Sequence, residues 1–209
     1  MELIENLKWR YATKKFDATK KVSAEDLEKI KEAIQLSASS YGLQLYKVLI
    51  IEDAELREKL KPAAWGQSQV TDASQLIVFC NYKQVEDQHI DEYLTLKAET
   101  QSLDVANLAG YGDFMKSKIG ALSAEQQNAW TARQTYLALG NLLTVCSALK
   151  IDACPMEGFE PDQFDEILGL SEKNLNAAVI ATIGYRSEED ATQHGPKVRK
   201  SAEALFETI

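Results

Sequence analysis

The chain has 209 residues, 45% of them hydrophobic, and a formal net charge of −9. That length suits a single domain with a full core, and the negative charge argues against a nucleic-acid partner, whose phosphates would be repelled. No apolar run reaches the roughly 20 residues of a membrane span, and the first residues lack the layout of a signal peptide. We therefore expect a cytoplasmic protein without a membrane partner.

The cysteines and histidines limit the chemistry further. Cys80, Cys146 and Cys154 lie in apolar runs without CxxC spacing, which predicts buried free thiols and not disulfides or a zinc site. The only histidines are His89 and His194, so we expect no bound metal.

The first half of the chain predicts single strands between helices. Ser23 can cap a helix whose first turn carries acidic residues, as the helix dipole favours. The apolar run before Tyr82 predicts a strand buried on both faces. The predicted helices cover residues 2–10, 24–38 and 54–60, the last one ended by Pro62, and the predicted strands cover residues 45–51 and 75–82.

The second half contains the longest predicted element. Residues 85–121 predict a helical excursion, and Ser123 with Gln126 predicts a capping box at the start of a helix reaching about Leu149. In its second half, apolar residues run nearly all the way round this helix, so it lies in the centre of one core or packs against both its own core and a partner chain. Further predictions are strands at residues 151–154 and 176–185 and a helix at 162–168.

Two basic clusters stand out in an acidic chain. One contains Arg10, Lys14 and Lys15, and the other contains Lys197 and Arg199. They form either an anion site built from both ends of the chain or ordinary solvated surface. No phosphate-binding glycine motif, nucleophile elbow or metal motif is present. If the protein is an enzyme, we expect a cofactor to supply the reactivity.

Several segments together resemble the FMN-dependent nitroreductases, in particular the oxygen-insensitive bacterial NAD(P)H nitroreductases. They are residues 10–17 (RYATKKFD), 37–40 (SASS), 134–141 (QTYLALGN), 155–159 (PMEGF) and 196–199 (PKVR). Each motif is weak alone, but the ordered combination spans nearly the whole chain.

The resemblance implies an α+β fold with a mostly antiparallel central sheet flanked by helices, as one domain over residues 1–209. It also implies an intertwined homodimer, in which the C-terminal segment, residues 204–209, crosses to add an edge strand to the partner. FMN would lie at the interface between the two chains.

The resemblance also implies roles for individual residues. Arg10, Lys197 and Arg199 would hold the FMN phosphate, and Tyr11 and Ala12 would line it through their backbone. Because Ala12 stands where a serine is usual, one hydroxyl donor to the phosphate is missing.

The flavin ring would be held by a second group. Lys14 would approach the N1/O2 edge, where a cation stabilises the negative charge of the reduced ring. Glu157 and Gly158 would present backbone N–H groups to the N5/O4 edge, and Pro155 and Met156 would pack on one face.

Four more residues complete the implied cofactor contacts. Ser39 and Ser40 would come from the other subunit, and Gln67 and Gln69 would face the pyrimidine edge. Gln69 replaces a lysine of one branch of the family, so we expect a flavin that is harder to reduce. Tyr111 and Phe114 are candidates to cover the acceptor, with ordinary packing as the alternative.

The reaction implied is ping-pong hydride transfer through flavin N5, from NAD(P)H to a small oxidised acceptor such as a nitroaromatic or quinone. Two alternatives stay open. The first is a specialised FMN enzyme of the same fold that fragments flavin or dehalogenates its substrate, and the second is a non-catalytic flavin-binding protein.

Overall fold

A four-stranded antiparallel sheet forms the centre of the molecule, in a computed structural model that describes all 209 residues. The strands are β1 (Tyr46–Ile51), β2 (Gln75–Tyr82), β3 (Asp152–Met156) and β4 (Leu175–Gly184). Their order is β1-β2-β4-β3, and every neighbouring pair is antiparallel. The α+β architecture with an antiparallel sheet is therefore confirmed.

Nine α-helices surround the sheet. They are α1 (Glu2–Trp9), α2 (Ala24–Gln35), α3 (Ala54–Ala63), α4 (Gln69–Asp72), α5 (Asp87–Gln101), α6 (Ala109–Gly120), α7 (Ala124–Ala148), α8 (Pro161–Leu168) and α9 (Ala202–Leu205). No helix is both long enough and apolar enough to cross a membrane.

The strand β2 explains why the molecule has two main cores. Its side chains alternate, so that Leu76 and Val78 face a cluster formed with α3, α4 and α8. Ile77 and Phe79 face the other cluster, formed with α2 and α7. All four side chains are fully buried, which confirms the predicted burial on both faces.

The long helix begins as its sequence predicts. Ser123 accepts a hydrogen bond from the amide of Gln126, and the Gln126 side chain accepts one from the amide of Ser123. Together these bonds satisfy two backbone donors that a helix start leaves free. Further along, Leu142 is fully buried against the sheet, whereas Leu137 is 52% exposed.

Three predicted boundaries are wrong. Pro62 lies inside the last turn of α3 and does not end it, because its missing N–H costs one bond in a helix that stops one residue later. The helix α2 ends at Gln35 and not at residue 38. The strand β3 continues through Pro155, which is tolerated because β3 is an edge strand of the sheet.

The C-terminal residues carry little structure of their own. After α9, residues 206–209 belong to no helix or strand, and all residues from 196 onward are exposed. The predicted strand exchange needs a partner chain and stays a prediction. All three thiols are buried and free, as expected.

Candidate cofactor site

The two basic clusters meet in one cavity of about 350 Å³. The segment after α1 forms one wall, and the segment before α9 forms the other. All three residues predicted to hold the phosphate, and both residues predicted to line it, are in this lining. The lining residues are Lys8, Trp9, Arg10, Tyr11, Ala12, Thr192, Gln193, Gly195, Pro196, Lys197 and Arg199.

The cavity concentrates positive charge without a counterion. Burial lowers the pKa of Arg10, and the neighbouring charge of Arg199 lowers it further. Burial lowers the pKa of Lys197 as well, and both arginines add to that effect. The Nε atom of Arg10 is buried and has no hydrogen-bond partner. An orphaned guanidinium donor beside two further cations is suited to bind a multiply charged anion such as a phosphate.

The buried carboxylate of Asp190 connects the two walls of the cavity. Asp190 was not predicted from the sequence. Asp190 is 2% exposed, and its Oδ2 accepts hydrogen bonds from the Tyr11 hydroxyl at 2.9 Å and from the amides of Lys14 at 2.8 Å and Lys15 at 3.2 Å. Burial alone would raise the pKa of Asp190, but these hydrogen bonds lower it to about 2. Asp190 therefore fixes the backbone that carries Lys14.

An ion pair between Arg186 and the buried carboxylate of Asp152 orders the chain around Arg10. The Arg186 guanidinium lies 4.4 Å from the ring centre of Trp9 and 4.6 Å from that of Tyr11. Its Nε donates to Asp152 Oδ1 at 2.9 Å, and its backbone amide donates to the other carboxylate oxygen at 2.8 Å. The rings on both sides of Arg10 are thus held by one cation.

Lys14 and Gln69 both act on Cys154, which lies in the middle of β3. Burial raises the pKa of the Cys154 thiol, and the positive charge of Lys14 and a hydrogen bond with Gln69 oppose that rise. Gln69 is buried, Met156 is 5% exposed, and Lys14 is exposed. The residue predicted at N1/O2 and one of the two predicted pyrimidine contacts thus both interact with the same residue of β3.

Gln67 is oriented by the turn that follows β3. Its Nε2 donates to the carbonyl of Gly158 at 2.7 Å and to that of Ala64 at 3.0 Å. Both N–H donors of the Gln67 amide are therefore engaged, and its Oε1 remains as an acceptor. The preceding Trp65 has φ +56° and donates from Nε1 to Glu160 at 2.7 Å.

The side chain of Glu157 is anchored to α7. Its Oε1 accepts a 2.6 Å hydrogen bond from the Tyr136 hydroxyl. Burial raises the pKa of Tyr136 to about 12, with a further contribution from Glu157, so the hydroxyl keeps its proton at neutral pH. This contact fixes the direction of the residue 155–158 turn relative to α7.

Ser39 and Ser40 lie at a different face of α7. The amide of Ser40 donates to Gln134 Oε1 at 2.8 Å, and its hydroxyl accepts from Trp130 Nε1 at 3.3 Å. Positions two apart in an α-helix, such as 134 and 136, lie on roughly opposite sides. One chain therefore does not bring its own Ser40 beside its own Glu157.

Phe114 and Tyr111, which were predicted to cover the acceptor, lie in different surroundings. Phe114 is 47% exposed, and its ring centre lies 6.4 Å from that of Tyr41, next to Ser40. Tyr111 packs within the small core between α5 and α6, and the Lys97 ammonium lies 5.1 Å from its ring centre.

Asp190, Arg186, Tyr136 and Trp65 were not predicted as site residues from sequence. Asp190 belongs to the run Glu188-Glu-Asp, which resembles solvated surface. Tyr136 resembles one more apolar position of a long helix. Only the fold shows that their partners lie elsewhere in the chain.

Comparison with known proteins adds independent findings. A family model described as "Nitroreductase family" matches residues 7–185. A Staphylococcus epidermidis protein described as a "Putative NAD(P)H nitroreductase" is 35% identical over 216 residues, covering 99% of this chain and 96% of its own.

Solved structures share the fold. A Bacillus subtilis "putative nitroreductase" has a TM-score of 0.89 at 22% identity, covering 100% of this chain and 99% of its own. An Exiguobacterium sibiricum protein described as a "putative nitroreductase in complex with FMN" has a TM-score of 0.84 at 22% identity, covering 100% of this chain and 98% of its own.

Proposed function

This chain belongs to the nitroreductase family, and from that premise we propose that it is an FMN-dependent NAD(P)H oxidoreductase. Its acceptors would be nitroaromatics, quinones or similar small oxidised compounds. Its free, buried thiols are consistent with the reducing cytoplasm, where we place it.

The cation cavity is the observation that carries the proposal. Arg10, Lys197 and Arg199 repel one another, and a buried donor of Arg10 lacks a partner. A dianionic phosphate supplies the missing acceptor and balances the charge. The cavity of about 350 Å³ suits a phosphate and part of its attached chain, with the ring extending towards β3.

The residues near β3 complement a flavin ring. Gln67 has a free amide oxygen that can accept from the N3–H group of the pyrimidine ring. Lys14 supplies the only cation proposed for the N1/O2 edge, and Glu157 and Gly158 supply backbone donors for N5/O4. Ser39, Ser40 and Gln69 remain proposed contacts, as do the packing roles of Pro155 and Met156.

When bound, FMN supplies the redox chemistry, because it can take hydride from NAD(P)H and pass it to an acceptor. The protein's task is to hold and tune the ring. Lys14 favours the reduced ring electrostatically, and Tyr136 keeps the Glu157 turn in place. The proposed kinetic sequence is ping-pong, with donor and acceptor using the same open face in turn.

A second copy of the chain is part of the proposal. Ser40 and Glu157 contact opposite sides of α7, so a site that uses both is completed by two chains. The outer edge of β1 has no partner strand, whereas β3 is bridged on its outer side by Ala12. We therefore propose β1 as the edge that receives the exchanged C-terminal segment.

The absorption spectrum of the purified protein, followed by anaerobic addition of NADPH or NADH, tests this function. The expected result is a flavin spectrum that bleaches on addition and returns when a quinone is added. A flavin that stays oxidised with both nicotinamides contradicts NAD(P)H oxidation. A colourless protein that takes up no added FMN contradicts the cofactor itself.

Arg199→Glu tests the phosphate assignment separately. Reversing one of three charges should abolish retention of FMN through gel filtration, because the phosphate then faces a carboxylate at close range. Lys200→Glu is the matched control, since Lys200 neighbours Arg199 but does not line the cavity. A fully loaded Arg199→Glu protein would refute the assignment.

A further inference from the structure

Residues 196–209, here called the tail, are attached to the rest of the chain at one place. Every tail residue is exposed. A single hydrogen bond leads from the tail to earlier residues, donated by the Lys197 ammonium to the carbonyl of Arg10. That attachment lies within the cation cavity.

The tail carries apolar side chains that its own chain does not cover. Val198 is 83% exposed, Leu205 62% and Phe206 72%, and Ile209 is fully exposed. Exposed apolar side chains gathered in one short segment mark an interaction surface. The tail therefore lacks the surface on which it would be buried.

A groove beside β1 offers that surface on a second copy. It has a volume of about 420 Å³ and combines apolar residues of α2 and β1, including Ile34 and Val48, with Lys31 and Lys47. The tail complements these charges with Glu203 and Glu207. Apolar and charged groups thus match between the tail of one copy and the groove of another.

Repulsion among the cations of the cavity weakens the attachment of the tail to the body of the molecule when no anion is bound. Lys197 and Arg199 belong to the tail, whereas Arg10 belongs to the body of the molecule. Like charges that converge there destabilise the attachment, because they add to the effect of burial in lowering the pKa of Arg10 and of Lys197. A phosphate between them converts this repulsion into two attractions that connect body and tail.

We propose that the FMN phosphate is a clasp that fixes the tail against Arg10, so that cofactor binding strengthens the pairing of two copies through the tail. This inference rests on the proposed function. Linkage requires the effect to be reciprocal, so that pairing also tightens FMN binding by the same factor. The phosphate, and not only the ring, carries the coupling.

Subunit exchange between two differently tagged preparations of apoprotein, followed by native mass spectrometry, measures this coupling. Exchange is compared without ligand, with saturating FMN and with saturating riboflavin, which has the same ring but no phosphate. We expect FMN to slow exchange at least about tenfold more than riboflavin does, within the usual range of coupling between sites.

Two variants separate the clasp from general electrostatics. Arg199→Gln, measured with both ligands saturating, should remove the difference between FMN and riboflavin. Lys200→Gln removes the same charge from the same tail outside the cavity and should retain the difference. Chymotrypsin cleavage after Phe206, which is seven positions beyond Arg199 in the sequence and does not line the cavity, should slow with FMN more than with riboflavin.

The outcomes distinguish this inference from the function on which it rests. If FMN binds but FMN and riboflavin slow exchange equally, the clasp is refuted and the function stands. If FMN binds and the protein remains a single copy, the clasp is refuted as well. If the apoprotein binds no FMN, both the function and the clasp are refuted.

Discussion

Single residues around the cation cavity are fixed by carboxylates behind it. Oδ2 of Asp190 accepts three hydrogen bonds, and Asp190→Asn replaces one carboxylate oxygen by an amide group that cannot accept any. Leaving buried donors unsatisfied costs about 1–3 kcal/mol. We expect this loss of unfolding free energy at neutral pH, together with weaker FMN binding, because the backbone of Lys14 is released.

The stability that Asp190 contributes should depend on pH in a defined direction. The pKa of Asp190 is about 2 in the folded protein, below its ordinary value of 3.8. Its stabilising contribution is therefore present above pH 4 and is lost as the pH falls towards 2. Urea unfolding should show the wild type and Asp190→Asn converging over that interval. Glu189→Gln, an exposed control with one ion pair at 3.4 Å, should change little. A gap between wild type and Asp190→Asn that is equal at pH 6 and pH 3 would contradict the assignment.

Single residues should also set the reduction potential of the bound flavin. Gln69 is buried beside Cys154 and carries no charge, so Lys14 is the only cation that we place at the N1/O2 edge. Gln69→Lys should raise the midpoint potential, because a second cation stabilises the charge of the reduced ring. A spectroelectrochemical titration measures this, with Gln69→Met as the uncharged control. An unchanged or lower potential in Gln69→Lys would show that Gln69 lies away from the ring.

At the scale of elements, the contact between the loop after α3 and the turn after β3 shapes the site. A Cβ on Gly158 would lie 2.8 Å from Cζ3 of Trp65, and that ring is held by its bond to Glu160. Gly158→Ala should therefore destabilise the protein by about 1 kcal/mol, at the low end of overpacking costs because the Trp65 ring is 64% exposed and can shift. In a Trp65→Ala background the cost should largely disappear. Urea unfolding of the four proteins completes a double-mutant cycle, and equal costs in both backgrounds would contradict the contact.

The helices and strands also show which features could be predicted from the sequence. Hydrophobic runs and a capping box are local patterns, so β2 and the start of α7 were predicted correctly. Pro62 was wrongly predicted to end α3, because a proline in the final turn of a helix costs little stability. From the residues alone the two basic clusters could form either one anion site or solvated surface, and only the family resemblance favoured the anion site. The bond from Tyr11 to Asp190 spans 179 positions, and no local pattern indicates it.

At the scale of the whole molecule, the proposed site draws on two chains. Arg199 and Glu157 would belong to one chain and Ser40 to the other, since Ser40 and Glu157 contact opposite sides of α7. Two inactive variants should then complement each other. Arg199→Glu removes the phosphate site, and Ser40→Trp blocks the ring from the other side. In a mixed dimer, one site carries both changes and the other carries neither.

Complementation is measured by letting the two variants exchange subunits and assaying NADPH oxidation with a quinone. Random pairing makes about half of the dimers mixed, each with one intact site of two, so about a quarter of the wild-type activity should return. If Ser40 served the site of its own chain, each site of a mixed dimer would carry one defect and no activity would return. Each variant alone, treated identically, is the control. Recovery therefore requires that the site be shared between two copies, a result that no single-chain measurement can provide.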